Sequence, residues 1–318
     1  MSSSFARRTL PFVALVAAAI LGGATDAAAQ HSEAPIIGRW DFTLATPNGS
    51  APSWLEVMPS GNGTLVGRFV AIVGSARPVS RVEFANGTVR FAIPPQWERG
   101  TGDLRVEGTL AGDKLTGTLT MPDGQSMSYT AVRAPDLVRP TPKWGTPIAL
   151  FNGKDITGWS ARGENKWHVA DGVLTNGGGG ANLVTNRKFD DFKLHVEFRY
   201  PKGSNSGIYL RGRYEVQIED SERRTIPHVD EVGGVYGFLA PIEDAARAPE
   251  EWQTYDITLV GRRVTVVLNG KTVIADQLIP GPTGGALDAN EGEPGPIYLQ
   301  GDHGRVDFRK IVLTPAVR

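Results

Sequence analysis

The sequence predicts an all-β protein of two domains, and three observations predict it. Short runs alternate apolar and polar residues, as where Leu194, Val196 and Phe198 interleave with His195 and Glu197; this is the period of a strand with one buried face. Glycine (39) and proline (22) are frequent, and almost no stretch keeps a helical period. Six Asn-Gly pairs, beginning at Asn48, Asn62, Asn86, Asn152, Asn176 and Asn269, tolerate the positive φ of tight hairpins. A helix is expected at most near Glu243–Ala248. A length of 318 residues exceeds one typical domain and fits two.

At the N-terminus, Arg7 and Arg8 precede the apolar run Leu10–Gly23, and Ala27, Ala28 and Ala29 follow it. Charge, apolar core and small residues in that order predict a cleaved signal peptide over residues 1–29. The run is too short to span a bilayer comfortably. The expectation is a periplasmic or secreted protein with no membrane span in its mature form. The chain has no cysteine, which excludes disulfides, a thiolate nucleophile and thiolate metal sites. A net charge of −1 without blocks of like charge argues against nucleic acid as a partner.

Residues 34–133 hold repeated short β runs, including Gly108-Thr109-Leu110 and Gly117-Thr118-Leu119, and predict a small β-barrel or half-barrel. Their opening, Gly38-Arg39-Trp40, resembles the first strand of lipocalin-like barrels. Residues 134–147 carry Pro135, Pro140, Pro142 and Pro147 and read as a flexible linker. The second domain runs from 148 to 318.

Register singles out one face of that domain. A two-residue loop after Arg211 would place Glu215 among apolar side chains. A three-residue loop, Arg211 to Arg213, instead pairs Leu210 with Tyr214 and Ile208 with Val216, and burial of the apolar set favours it. Tyr209 then faces Glu215, Gly207 faces Gln217 and Asn205 faces Glu219. This is a polar patch, with Gly207 expected to leave room beside Gln217. The plain alternative is a solvated outer face. A second cluster is Gln300, Asp302 and His303, the histidine in a Gly-Asp-His-Gly turn and titrating near neutral pH. The glycines at 177–180 are not followed by Gly-Lys-Ser/Thr, and neither His-Glu-X-X-His nor Gly-X-Ser-X-Gly occurs, so phosphate-loop, zincin and α/β-hydrolase chemistry lack support.

Ordered motifs run through the second domain: Leu150-Phe151-Asn152-Gly153-Lys154-Asp155-Ile156-Thr157-Gly158-Trp159, Asp171-Gly172-Val173-Leu174, Asn205-Ser206-Gly207-Ile208-Tyr209-Leu210-Arg211, Tyr214-Glu215-Val216-Gln217-Ile218 with Asp220, and Ile297-Tyr298-Leu299-Gln300 leading to His303-Gly304. Together they resemble the 3-keto-disaccharide hydrolase domain family. The resemblance implies a concanavalin A-like jelly-roll β-sandwich that acts on 3-keto-glycosides, sugars whose glucose C3 hydroxyl is oxidised to a ketone. It implies Glu215, His303 and Asp220 as catalytic candidates, and Asn205, Tyr209, Arg211, Gln217, Tyr236, Trp252 and Gln300 as substrate-binding ones.

A C3 ketone acidifies the C2 hydrogen, so a base can remove it, the C1 substituent leaves and water adds. The base falls on His303 or Glu215. Enolate charge falls to Arg211 or to a divalent metal, for which Glu215, Asp220 and His303 could supply mixed oxygen and nitrogen donors. The competing readings are a lectin-like carbohydrate-binding module, with Trp159, Trp167 and Trp252 stacking on sugar rings, and an envelope interaction protein.

Overall fold

A computed structural model describes residues 34–61, 63–221 and 226–317 of the chain. The expected leader at 1–29 and Asn62 lie outside the described residues. All regular structure among the described residues is strand, and none of it is a helix long and apolar enough to cross a membrane.

Eight antiparallel strands close the N-terminal barrel: β1 (Gly38–Thr46), β2 (Gly49–Pro59), β3 (Leu65–Val70), β4 (Arg77–Ala85), β5 (Thr88–Ile93), β6 (Leu104–Ala111), β7 (Lys114–Thr120) and β8 (Ser126–Arg133), with β8 returning to pair with β1. A barrel of this size is just wide enough for side chains to fill. Trp40, Phe42, Leu55, Phe69, Phe91, Val106, Leu119 and Tyr129 fill it. Trp40 is fully buried, its indole N–H donates 2.8 Å to the Ile36 carbonyl, and the Arg133 guanidinium lies 4.1 Å from its ring centre.

Fourteen further strands follow: β9 (Lys143–Trp144), β10 (Ile148–Ala149), β11 (Trp159–Arg162), β12 (His168–Ala170), β13 (Val173–Thr175), β14 (Asn182–Thr185), β15 (Phe192–Arg199), β16 (Asn205–Leu210), β17 (Tyr214–Glu219), β18 (Gln253–Val260), β19 (Arg263–Leu268), β20 (Lys271–Leu278), β21 (Tyr298–Leu299) and β22 (Asp307–Val317). One sheet runs β12-β13-β22-β15-β18-β19-β20, with β9 and β10 also on β22; the other runs β11-β14-β21-β16-β17. Their inner faces meet in one core, to which β15 gives Phe192, Leu194, Val196 and Phe198, and β16 and β17 give Ile208, Leu210, Tyr214, Val216 and Ile218. The protein is all-β, a closed barrel joined to a β-sandwich.

Three expectations need correction. Residues 243–248 form no helix; the segment is held by Gln253, whose side chain bonds Arg247 N and Arg247 O at 2.9 and 3.0 Å. Of the Asn-Gly pairs, Asn86-Gly87 and Asn269-Gly270 make hairpins with positive φ at both residues, while Asn152 and Asn176 sit in irregular loops and bond across them. Finally, residues 134–147 are docked against the sandwich. Leu137 is buried, β9 extends the large sheet, and Gly261 lies so close to the Leu137 carbonyl that no side chain fits between them.

The barrel is also joined to the sandwich directly. Arg39 pairs with the fully buried Glu291 and bonds the Pro280 carbonyl, and Trp54 Nε1 donates 2.8 Å to Pro282 O.

Candidate active site

The β16–β17 hairpin has the three-residue loop that burial of its apolar residues demands. Leu210 pairs with Tyr214, Tyr209 with Glu215, Gly207 with Gln217 and Asn205 with Glu219. The turn places Arg211 and Gly212 at φ 53° and 68°, and Arg213 N donates 3.0 Å to Leu210 O. The face opposite the core is not solvated. Tyr209, Glu215 and Gln217 are buried, and with Asn205, Tyr236, Gln300 and His303 they line a pocket of about 140 Å³.

Glu215 lies at its base. The carboxylate occupies the place of a side chain at Gly207, where a Cβ would stand 2.8 Å from Glu215 Cγ and 2.9 Å from Cδ. Gly207 therefore makes room for Glu215, not beside Gln217 as expected. Tyr209 Oη stands 2.8 Å from Glu215 Oε2 and 2.9 Å from the Gly284 carbonyl, and its ring stacks on Tyr298 at 4.2 Å. Burial pushes the Glu215 pKa up to about 8, against the lowering effects of the Tyr209 hydrogen bond and the charge of His303. Burial likewise raises Tyr209 and Tyr236 above the ordinary phenol range.

At the mouth, His303 is half-exposed and its Nδ1 lies 2.8 Å from Asp302 Oδ1. That hydrogen bond raises the His303 pKa above 6.5 and lowers that of Asp302 below 3.8. Asn182 on β14 fixes the turn, its Oδ1 accepting from Gly301 N at 2.8 Å and Asp302 N at 3.3 Å. Two amide oxygens in the pocket, Gln217 Oε1 and Gln300 Oε1, are buried without a hydrogen-bond partner. Such groups are costly to leave unpaired, and they offer acceptors to a hydroxyl-bearing ligand. The remaining wall comes from Gly284 and Gly285 and from Val73 and Gly74 of the barrel.

Three expected site residues lie elsewhere. Arg211 is fully buried under the hairpin turn, donating to Gly261 O at 2.8 Å, Tyr214 Oη at 3.0 Å and Glu291 O at 3.3 Å. Asp220 accepts from Gly203 N at 2.8 Å and faces a separate small hollow beside Tyr200 and Ser221. Trp252 packs between the guanidinium groups of Arg199 and Arg309, 4.9 and 4.4 Å from its ring centre, beside strands of the large sheet. Glu215, Asp220 and His303 form no metal donor set, and among the described residues no three His, Asp or Glu side chains converge to hold one.

Sequence reasoning missed Asn182, Gly284, Gly285, Val73 and Gly74 at the site. The Gly284-Gly285 pair signals a turn, but nothing local to it says which strand the turn covers. A larger, shallower groove of about 370 Å³ on the barrel is lined by Arg90, Glu107, Arg81 and Glu83. Its charges pair with each other at the surface, Arg90 with Glu107 and Arg81 with Glu83, so it lacks the buried, unsatisfied groups of the Glu215 pocket.

The chain is 34% identical over 88 residues to a 3-keto-disaccharide hydrolase of Bacteroides thetaiotaomicron, a match covering 24% of this chain and 30% of that protein. It is also similar to two crystal structures from Parabacteroides distasonis, both provisionally named glycosyl hydrolases. One is 30% identical, with a TM-score of 0.46 over 56% of this chain and 92% of that one. The other is 22% identical, with a TM-score of 0.44 over 54% and 94%. The profile of the 3-keto-alpha-glucoside-1,2-lyase-like domain matches residues 146–314, which is the sandwich but for β9 and the last few residues of β22. Those residues carry both Glu215 and His303, and the chain belongs to the 3-keto-alpha-glucoside-1,2-lyase-like domain family.

Proposed function

We propose that this protein cleaves glycosides of glucose oxidised at C3, through the pocket built on Glu215 and His303. One observation carries the reading: a carboxyl held neutral and a histidine made more basic share a pocket. Glu215 keeps its proton to about pH 8, and Asp302 strengthens His303 as a base. Removing a hydrogen from carbon beside a ketone needs both a base that works near neutrality and a donor for the charge that develops on the ketone oxygen.

His303, held at Nδ1 by Asp302, takes the C2 proton at Nε2. Neutral Glu215, with Tyr209 beside it, donates to the enolate oxygen, a role open to a carboxylic acid whose surroundings keep it un-ionised. As the enolate returns to the ketone, the electron pair from C2–H forms a C1=C2 double bond and the C1–O bond breaks. The departing oxygen takes the proton from His303. Water then adds across C1=C2, and the net result is hydrolysis. Gln217 and Gln300 accept from sugar hydroxyls through their unpaired amide oxygens.

The test is turnover of methyl 3-keto-glucoside by the purified protein. Methanol should be released with a transient unsaturated ketone, and unoxidised methyl glucoside should stay intact. A folded protein that turns over neither would return the pocket to the lectin-like reading.

A further inference from the structure

The family match begins at residue 146 and leaves the barrel without a role, yet the barrel reaches the pocket. The segment between β3 and β4 supplies Val73 and Gly74 to the wall that holds Tyr209, Glu215 and His303. It docks by close backbone approach. A Cβ on Gly284 would stand 2.6 Å from Gly74 N, and one on Gly237 would stand 2.7 Å from Ser75 Cβ. No larger residue fits at either contact, so both sandwich loops are shaped to receive the barrel.

Beside this segment lies the connection from β5 to β6, which carries Trp97. The indole edge packs on Gly74, where a Cβ would lie 3.2 Å from Cζ2, yet half of Trp97 is exposed. Its position is fixed from beneath. Arg77 pairs with Glu98 at 2.7 Å with both side chains at most 3% exposed, and the other Glu98 oxygen accepts from Gln96 N and Trp97 N at 3.0 and 3.3 Å. A buried ion pair is a costly device for a loop tip. Here it holds a large apolar ring in place while leaving it open to solvent, next to a residue that lines the pocket.

Pocket size supplies the remaining link. At about 140 Å³, it is smaller than the roughly 300–1,000 Å³ of a typical small-molecule site. A pocket of that size has room for about one sugar ring, so in the proposed reaction the C1 substituent would project past the rim. We propose that the barrel provides the subsite for this leaving group: Val73 and Trp97 receive a flat ring with an apolar face, either an aromatic aglycone or the C–H face of a second sugar. This rests on the proposed glycoside cleavage and adds the barrel as the determinant of what is released.

Kinetics with three 3-keto-glucosides, bearing methyl, phenyl and glucosyl groups at C1, test it in the full chain. Trp97→Ala should lower kcat/KM for the phenyl substrate about three- to tenfold, the scale of one aromatic contact, and change the methyl substrate less than twofold. A matching loss for the glucosyl substrate assigns a sugar-face platform as well; a loss confined to phenyl assigns an aromatic one. Equal effects on phenyl and methyl substrates, or none, overturn the subsite.

Should no oxidised glucoside be turned over, the chemistry fails but the subsite is still measurable. Unoxidised phenyl glucoside should then quench tryptophan fluorescence of the wild type, with most of that change lost in Trp97→Phe. Absent binding, or an identical change in both proteins, overturns it.

Discussion

Tyr209 and Glu215 face each other across the β16–β17 hairpin, and the Tyr209 hydroxyl, 2.8 Å from the carboxyl, is also 2.9 Å from the Gly284 carbonyl. One phenolic proton cannot serve both acceptors. With no substrate bound, protonated Glu215 donates to Tyr209, which donates to Gly284, and every group in the chain is satisfied; in the proposed reaction that carboxyl proton turns from Tyr209 to the enolate oxygen. Ionised Glu215 accepts the Tyr209 hydrogen bond instead and leaves Gly284 without it. The geometry therefore fits the neutral carboxyl that burial favours, with its pKa at about 8.

Stability should report this directly. Folding raises the Glu215 pKa from 4.5 to about 8, so over that window the native state holds a proton that the unfolded chain has lost. Native stability therefore falls as pH rises from about 4.5 to about 8 and levels off above. Glu215→Gln has no such proton to lose. Urea unfolding at pH 5, 7 and 9 should find the variant more stable by a margin that grows to about 2–4 kcal/mol. A margin independent of pH would mean that Glu215 ionises normally.

Activity should be bell-shaped in pH. The acid limb follows deprotonation of His303, above 6.5, and the alkaline limb follows loss of the Glu215 proton near 8. His303→Ala should lower turnover of a 3-keto-glucoside about a hundredfold or more. Asp302→Asn removes the group that raises the histidine pKa, so the acid limb should move to lower pH while kcat falls. An unmoved acid limb would detach His303 from the chemistry.

Gly207→Ala tests the notch beneath the carboxyl. The new methyl would collide with the Glu215 side chain and drive it from Tyr209. A displacement on the order of 1 Å can cost about a hundredfold in rate. Circular dichroism should show retained strand content alongside that loss; near-normal kcat would place the reacting atoms elsewhere.

Arg211→Ala should behave differently. Its guanidinium bonds Gly261 O, Tyr214 Oη and Glu291 O and lies outside the pocket. Removing it leaves the buried Gly261 and Glu291 carbonyls unpaired, with an expected loss of about 2–4 kcal/mol in chemical denaturation. Protein that remains folded should keep its kcat. A selective fall in kcat without loss of stability would return Arg211 to the site.

What the sequence by itself determined is what local periodicity controls. Alternation in Ile208–Ile218 fixed both the hairpin register and the residues that Glu215 faces, because a one-residue slip would have moved the whole apolar set out of the core. Asn86-Gly87 and Asn269-Gly270 likewise specify hairpins through their own backbone preferences. Only the tertiary structure decided that this polar face is buried, since its cover comes from Gly284 and Gly285 and from Val73 and Gly74 of another domain. The same holds for Arg211, which strand alternation cannot place because it sits in the turn, and two of whose partners lie 50 and 80 residues away along the chain. Strand alternation is set by residues two apart. Burial sums over every segment that packs nearby, and so does the upward shift of the Glu215 pKa.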